Sequence, residues 1–444
     1  MEEDIQKSMD DLEQKLLNEN KLPKKIKITI ILLILVIVLL ILISIFIILY
    51  YNNKGKIKLN NEKEKDDSNK SEEEYLLEIN GFKEKWYDIY GNRTINISYL
   101  ENDVIPNSYR QGKSNYIEEL GDLNEGKDYT KHDINVYDLY IPYSSLSRKD
   151  KHNGIILFVH GGGLENNTKE ETECFAVRFA KMGYITANME YSNCLDKYKE
   201  KSFYRILDEI TACIKSIKNE LVSQKFDGNK LELALYGISS GGQLILSYGF
   251  SDNNRNEIIP VKFLMNAVGI ATLDEKYWYY IAVPNKTLDN IESIEDIENA
   301  KNNGTILPSS PQFLLHLMNL MTGKKLSQKD LDQLIINDTI QKEDEKFKQM
   351  YKFAKYGFPV ERIGSNTIPL LCLYCGNDGL FVHYSYLRQK YINNGADNNI
   401  SLVYMKYAGH ERFHHGIERD IIAMKQMHIK MLEYAKTYFT NDLN

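Results

Sequence analysis

From residue 133 onward the chain alternates between short apolar runs and amphipathic stretches, and this alternation limits the possible fold more than any other feature. "DINVYDLYIP" (Asp133–Pro142) repeats with the period of two of a half-buried strand, and "GIILFVH" (Gly154–His160) is the unbroken apolar run of a strand covered on both faces. "TKEETECFAVRFAKMG" carries Thr168 as a cap, acids in its first turn, an apolar stripe and a closing Gly183, which together predict a helix. The same criteria predict strands at Tyr184–Tyr191, Leu231–Gly237, Val261–Gly269, Ile368–Cys375 and Ser401–Tyr407. Helices are predicted over Phe203–Val222, about Tyr384–Asn394 and Glu418–Tyr438. Such alternation requires a mostly parallel sheet with helices on both faces, an α/β architecture.

One interval breaks the pattern. Residues 270–367 are too many for a connection in a compact domain, and "PQFLLHLMNLM" and "LSQKDLDQLI" have helical spacing, so the interval is expected to be an inserted helical lid. Its "YWYY" (Tyr277–Tyr280) could line an apolar pocket or simply pack the insertion against the sheet.

The N-terminal part is organised differently. Ile28–Leu49 is a run of 22 residues without a charge. At about 1.5 Å per residue it spans a hydrocarbon core of about 30 Å. Lys24, Lys25 and Lys27 stop at its start, and Tyr50 and Tyr51 stand where interfacial aromatics belong, so a single transmembrane helix over 28–51 is expected. Residues 1–27 form a short polar tail, 52–78 a charged stalk with little to bury, and 79–444 the folded domain, with 79–130 a peripheral extension.

Lysines flank the span on both sides and fix its orientation poorly, but eight Asn-x-Ser/Thr triplets (Asn69, Asn92, Asn96, Asn166, Asn285, Asn303, Asn337, Asn399) all follow it. The expectation is a cytoplasmic tail and a lumenal or extracellular, glycosylated body, with Asn166 unused because it lies beside the expected site. The net charge of −7 gives no reason to expect a nucleic-acid partner. Five cysteines form no disulfide framework, and Cys372 and Cys375 would face opposite sides of one strand, so no metal is expected.

Two motifs carry chemistry. "GISSG" (Gly237–Gly241) directly follows an apolar strand and can begin a helix. In a nucleophile elbow the serine occupies a strained strand-to-helix turn, where side chains at the flanking glycines would strike backbone. Ser239 is therefore a candidate nucleophile, although a turn serine has the same local appearance. "HGGGL" (His160–Leu164) follows another apolar strand two strand–helix units earlier, and consecutive glycines let N–H groups face a developing oxyanion. His160 reads better as a structural support for that loop than as a base.

With these two motifs in this order, the chain resembles the α/β-hydrolase superfamily, in particular the HGGG-type esterase and lipase branch that includes hormone-sensitive-lipase-like and feruloyl-esterase-like enzymes. The resemblance spans about Asp133–Tyr438 and implies a triad in the order Ser, Asp, His, with the acid after the penultimate strand and the histidine after the last. Asp378 and His410 occupy those places, with His414 or His415 as fallback bases in the same loop. It also implies an oxyanion hole from the N–H groups of Gly161, Gly162, Gly163 and Ser240. Leu164 replaces a bulky aromatic frequent in the branch, and Ile238 and Ser240 replace its commoner Asp and Ala. The implied activity is a membrane-anchored serine carboxylic ester hydrolase that acts on a hydrophobic ester or lipid without a cofactor. Two alternatives share the fold: a serine peptidase of the prolyl-oligopeptidase type, which would need a propeller the short pre-domain segment cannot hold, and a catalytically inactive binding protein.

Overall fold

The computed structural model describes residues 91–98, 135–192, 202–251, 258–273, 278–281, 293–323, 326–355, 357–364, 367–406, 408–410 and 418–440. The tail, the apolar run and the stalk lie outside these residues, as do His414 and His415. Among the described residues no helix is long and apolar enough to cross a membrane.

Eight strands form one sheet: β1 (Gly91–Ser98), β2 (Val136–Pro142), β3 (Asn153–Val159), β4 (Ile185–Met189), β5 (Leu231–Ile238), β6 (Val261–Ala267), β7 (Leu370–Cys375) and β8 (Ile400–Met405). Their spatial order is β1-β2-β4-β3-β5-β6-β7-β8. β2 runs antiparallel to β1 and β4, and every pairing from β4 to β8 is parallel. The expected sheet is present, with an antiparallel margin. β1 falls in the segment read as a peripheral extension. "GNRTINIS" is polar enough to escape a burial criterion, and it belongs to the sheet because it supplies backbone hydrogen bonds to the outer edge of β2.

The central strands are apolar because both of their faces are covered. Ile155 through Val159 of β3 and Leu233 through Tyr236 of β5 are wholly excluded from solvent. Full burial of such aliphatic side chains is worth about 1.5–3 kcal/mol each. Phe158 of β3 packs on Phe175, Phe179 and Tyr236, joining strand, helix and neighbouring strand in one aromatic cluster.

Helices α1 (Glu170–Lys181), α2 (Phe203–Ser223) and α3 (Ser240–Gly249) make the crossovers between β3, β4, β5 and β6. Lys169, not Thr168, is the N-cap of α1, and it makes no side-chain cap bond. Two groups engage this end of the helix instead. The Lys169 N–H donates to Glu190 Oε2 at 2.7 Å, and the Thr168 carbonyl accepts from the Glu171 N–H at 3.1 Å.

The interval between β6 and β7 contains α4 (Ile294–Asn302), α5 (Pro311–Met321), α6 (Gln328–Gln333) and α7 (Glu345–Lys355), with two short two-stranded ladders. Its far end is tied to α3: Ser247 Oγ donates to the Gly357 carbonyl at 3.0 Å, and Arg362 Nη1 donates to the Ser247 carbonyl at 3.0 Å. Of "YWYY", Trp278 is buried between Phe313 of α5 and His383, which supports the packing role for that residue. Helices α8 (Val382–Asn393) and α9 (Glu418–Tyr438) follow β7 and β8.

Candidate active site

β5 ends at Ile238 and α3 starts at Ser240, which leaves Ser239 alone at the junction with φ 54° and ψ −120°. A non-glycine residue there stores about 1–3 kcal/mol of strain and persists only where its surroundings impose it. They do so here: the Ser239 N–H donates to the Ala267 carbonyl at 2.8 Å, and its carbonyl accepts from the Gln243 N–H at 3.1 Å. The flanking glycines are required by distance. A Cβ on Gly237 would stand 2.2 Å from the Gly241 carbonyl oxygen, and one on Gly241 would stand 2.3 Å from that of His160. Gly242 brings α3 against the end of β6, where a Cβ would meet Asn266 Oδ1 at 2.3 Å.

Asp378 and His410 come from loops at the ends of β7 and β8. Backbone bonds stitch these loops together, from the Gly376 N–H to the Met405 carbonyl at 3.0 Å and from the Asn377 N–H to the Ala408 carbonyl at 3.1 Å. Asp378 is buried, and its Oδ1 accepts the Leu380 N–H at 3.0 Å. Its Oδ2 lies 2.7 Å from His410 Nδ1, and His410 Nε2 lies 3.0 Å from Ser239 Oγ. With Nδ1 protonated towards the carboxylate, Nε2 is left as an acceptor facing the serine hydroxyl. Ser239 stands 139 positions before Asp378 and 171 before His410, yet the three meet in one hydrogen-bonded line.

The glycine loop lies against this serine, and a Cβ on Gly161 would sit 3.2 Å from Ser239 Cβ. Gly162, Gly163 and Leu164 all have positive φ, at 98°, 64° and 68°. One of the four expected oxyanion donors is already committed: the Gly161 N–H donates to Glu171 Oε2 at 2.7 Å. Gly161 is therefore corrected from donor to support. The N–H groups of Gly162, Gly163 and Ser240 have no partner among the described residues. Ser240 takes part through its side chain too, since Oγ accepts the Leu164 N–H at 3.3 Å.

His160 is fully buried and stacked on Tyr191 with ring centroids 4.0 Å apart, and its Nδ1 lies 2.9 Å from the Gly161 carbonyl oxygen. It supports the loop, as its position after β3 suggests. The Tyr191 hydroxyl lies 2.9 Å from the same oxygen. The insertion also reaches the loop, where His316 Nε2 of α5 lies 3.1 Å from Glu165 Oε2.

Sequence reasoning missed Glu171, Tyr191 and the Ser240 hydroxyl. The acids of "KEETE" have an ordinary explanation at a helix N-terminus, and only the fold shows which of them turns back to the loop. Among the described residues, no group of three or more His, Cys, Asp or Glu side chains is placed to hold a metal ion.

The sheet order, with the Ser239 elbow facing a histidine and a carboxylate, is that of the α/β-hydrolase fold. The BD-FAE family matches residues 137–380, more than half of the chain, and the chain belongs to that family. No curated protein matches it in sequence. Similar solved structures include esterase B from Lactobacillus rhamnosis, with 12% identity over 82% of this chain and 96% of that one and a TM-score of 0.46. A truncated carbohydrate esterase from gut microbiota shows 12% identity over 79% and 99% with a TM-score of 0.47. The hyperthermophilic esterase from the archaeon Pyrobaculum calidifontis shows 16% over 67% and 81% with a TM-score of 0.43.

Proposed function

We propose that this chain is a membrane-anchored serine carboxylic ester hydrolase that acts on a hydrophobic ester or lipid through an acyl-enzyme. The observation that carries it is the continuous line Ser239 Oγ, His410 Nε2, His410 Nδ1, Asp378 Oδ2, with contacts of 3.0 and 2.7 Å. Ser239 Oγ attacks the ester carbonyl carbon while its proton passes to His410 Nε2, and Asp378 stabilises the imidazolium. The carbonyl oxygen becomes an oxyanion that accepts from the N–H groups of Gly162, Gly163 and Ser240. Collapse of the tetrahedral species breaks the bond to the alkoxy group, which leaves with the proton from Nε2. Water then enters by the same path, deprotonated by His410, and releases the carboxylic acid with Ser239 restored. Every proton in this cycle is carried by a side chain of the protein.

The apolar run 28–49 supports the anchor, with residues 1–27 cytoplasmic, 52–78 a stalk and 79–444 the lumenal or extracellular body. The chemistry is tested by exposing the wild-type protein and Ser239→Ala to a fluorophosphonate probe. Labelling is expected in the first and none in the second; undiminished labelling of the variant refutes the assignment. For orientation, trypsin should spare the body in intact microsomes and digest it once detergent is added.

A further inference from the structure

The loop from Gly161 to Asn167 faces a physical difficulty. It contains four residues of positive φ, Gly162, Gly163, Leu164 and Asn167, and three of its members are glycines, so the free chain has wide freedom to point its N–H groups elsewhere. Yet an oxyanion hole works only when its donors are fixed before the charge develops. Something must hold the peptides in place.

The contacts around Gly161 show what does. Glu171 is placed in the first turn of α1, and its carboxylate grips both ends of the loop: Oε2 accepts the Gly161 N–H at 2.7 Å, and Oε1 accepts Asn167 Nδ2 at 2.9 Å. On the other side, the Tyr191 hydroxyl lies 3.1 Å from the His160 carbonyl oxygen and 2.9 Å from that of Gly161. The peptide joining His160 to Gly161 is thus held at both poles, with its N–H on Glu171 and its carbonyl beside Tyr191. The next peptide has its carbonyl held by Tyr191 and His160. Because a trans peptide is planar, with N–H and C=O opposed, that hold sends the Gly162 N–H the opposite way.

We infer that Glu171 is a positioning residue for the proposed oxyanion hole, a carboxylate clamp that sets the orientation of the Gly161–Gly163 peptides without touching substrate. The inference rests on the hydrolase function proposed above. It also gives the acid a role beyond its interaction with the helix terminus, because either neighbouring acid, Glu170 or Glu173, would serve the helix equally well. Glu170 pairs with Lys169, and Glu173 accepts from the Tyr140 hydroxyl.

The test is Glu171→Gln, nearly identical in shape. A glutamine has one accepting oxygen, so it can satisfy the Gly161 N–H or the Asn167 amide but must present its own N–H to the other. The purified wild-type and variant proteins are compared for hydrolysis of p-nitrophenyl butyrate, for thermal melting, and for hydrogen exchange of the peptide spanning residues 160–168. Displacement of catalytic groups by about 1 Å costs about 100-fold. The variant is accordingly expected to lose about 10- to 100-fold in kcat, with KM within about twofold. The melting temperature should be nearly unchanged, and exchange in the loop faster.

Asn167→Ala, at an exposed position, removes one end of the clamp and should lower kcat by a smaller factor in the same direction. Unchanged kcat and unchanged loop exchange in Glu171→Gln would overturn the inference, as would a loss of kcat matched by a general loss of stability. The two failures separate cleanly. A wild-type protein that neither cleaves esters nor reacts with a fluorophosphonate refutes the hydrolase function, while loop exchange in the same samples still decides whether Glu171 is the clamp.

Discussion

Replacing Asp378 by Asn probes the site most directly, because the structure allows the cost to be worked out. Asp378 has two jobs: Oδ1 accepts the Leu380 N–H at 3.0 Å and Oδ2 faces His410 Nδ1 at 2.7 Å. An asparagine in the same rotamer can keep its carbonyl on Leu380, but then its amide N–H faces Nδ1. The imidazole must switch tautomer and put a proton on Nε2, where Ser239 needs an acceptor. Alternatively the amide flips, which restores the tautomer but leaves the Leu380 N–H against another donor, at about 1–3 kcal/mol.

Either way the imidazolium loses its counter-charge. Two unit charges about 4 Å apart interact by about 4 kcal/mol at an effective dielectric of about 20. The sum, about 5–7 kcal/mol on the barrier, is a loss on the order of 10⁴ in kcat or somewhat more. Steady-state hydrolysis of p-nitrophenyl butyrate reads it, with a thermal melt as control. KM and the melting temperature should move little. A variant within tenfold of wild-type kcat would refute the orienting role of Asp378.

Two further perturbations test the scaffold. Gly241→Ala places a Cβ 2.3 Å from the His160 carbonyl oxygen and 2.4 Å from that of Val159, both backbone atoms that cannot turn aside. A loss of about 3 kcal/mol or more is expected with loss of probe labelling; an unshifted urea midpoint would contradict the packing of the elbow on β3.

His383 is fully buried beside Trp278, and burial lowers its pKa to about 3, from an unfolded value of about 6.5. Below pH 6.5 the unfolded chain takes up a proton that the folded protein refuses until about pH 3, so stability falls with pH across that window and is unaffected above it. Between pH 7 and pH 5 the wild type should lose about 2 kcal/mol through this residue. In His383→Phe that share of the slope should vanish from urea titrations at the two pH values; identical slopes would show that His383 titrates in the folded protein as it does in the unfolded chain.

Much of this architecture was legible in the sequence, for reasons particular to each element. β3 and β5 are buried on both faces and are therefore continuous apolar runs. Ser239 is bracketed by glycines because a Cβ at Gly237 or Gly241 would overlap backbone. Asp378 and His410 were found by their places after two apolar strands, through the resemblance to a family with that order.

What escaped is equally specific. β1 stayed hidden because its place is earned by edge hydrogen bonds, which leave little trace in side-chain type. Thr168 had the chemistry of a cap, but the helix begins one residue later, where tertiary contacts to Glu190 take over.

The sequence by itself determined the layered α/β fold and the residue types of the site, since burial periodicity and short-range steric demands are written into neighbouring positions. Only the tertiary structure decided which of these groups remain open to act. Gly161, Gly162 and Gly163 are indistinguishable as letters, yet the first has given its N–H to Glu171, ten residues away on a helix. Ser240 holds the Leu164 N–H with its hydroxyl, a contact separate from the role proposed for its own N–H. Hydrogen-bond partnership across the fold depends on distances of a few tenths of an ångström between elements, and no local pattern encodes those.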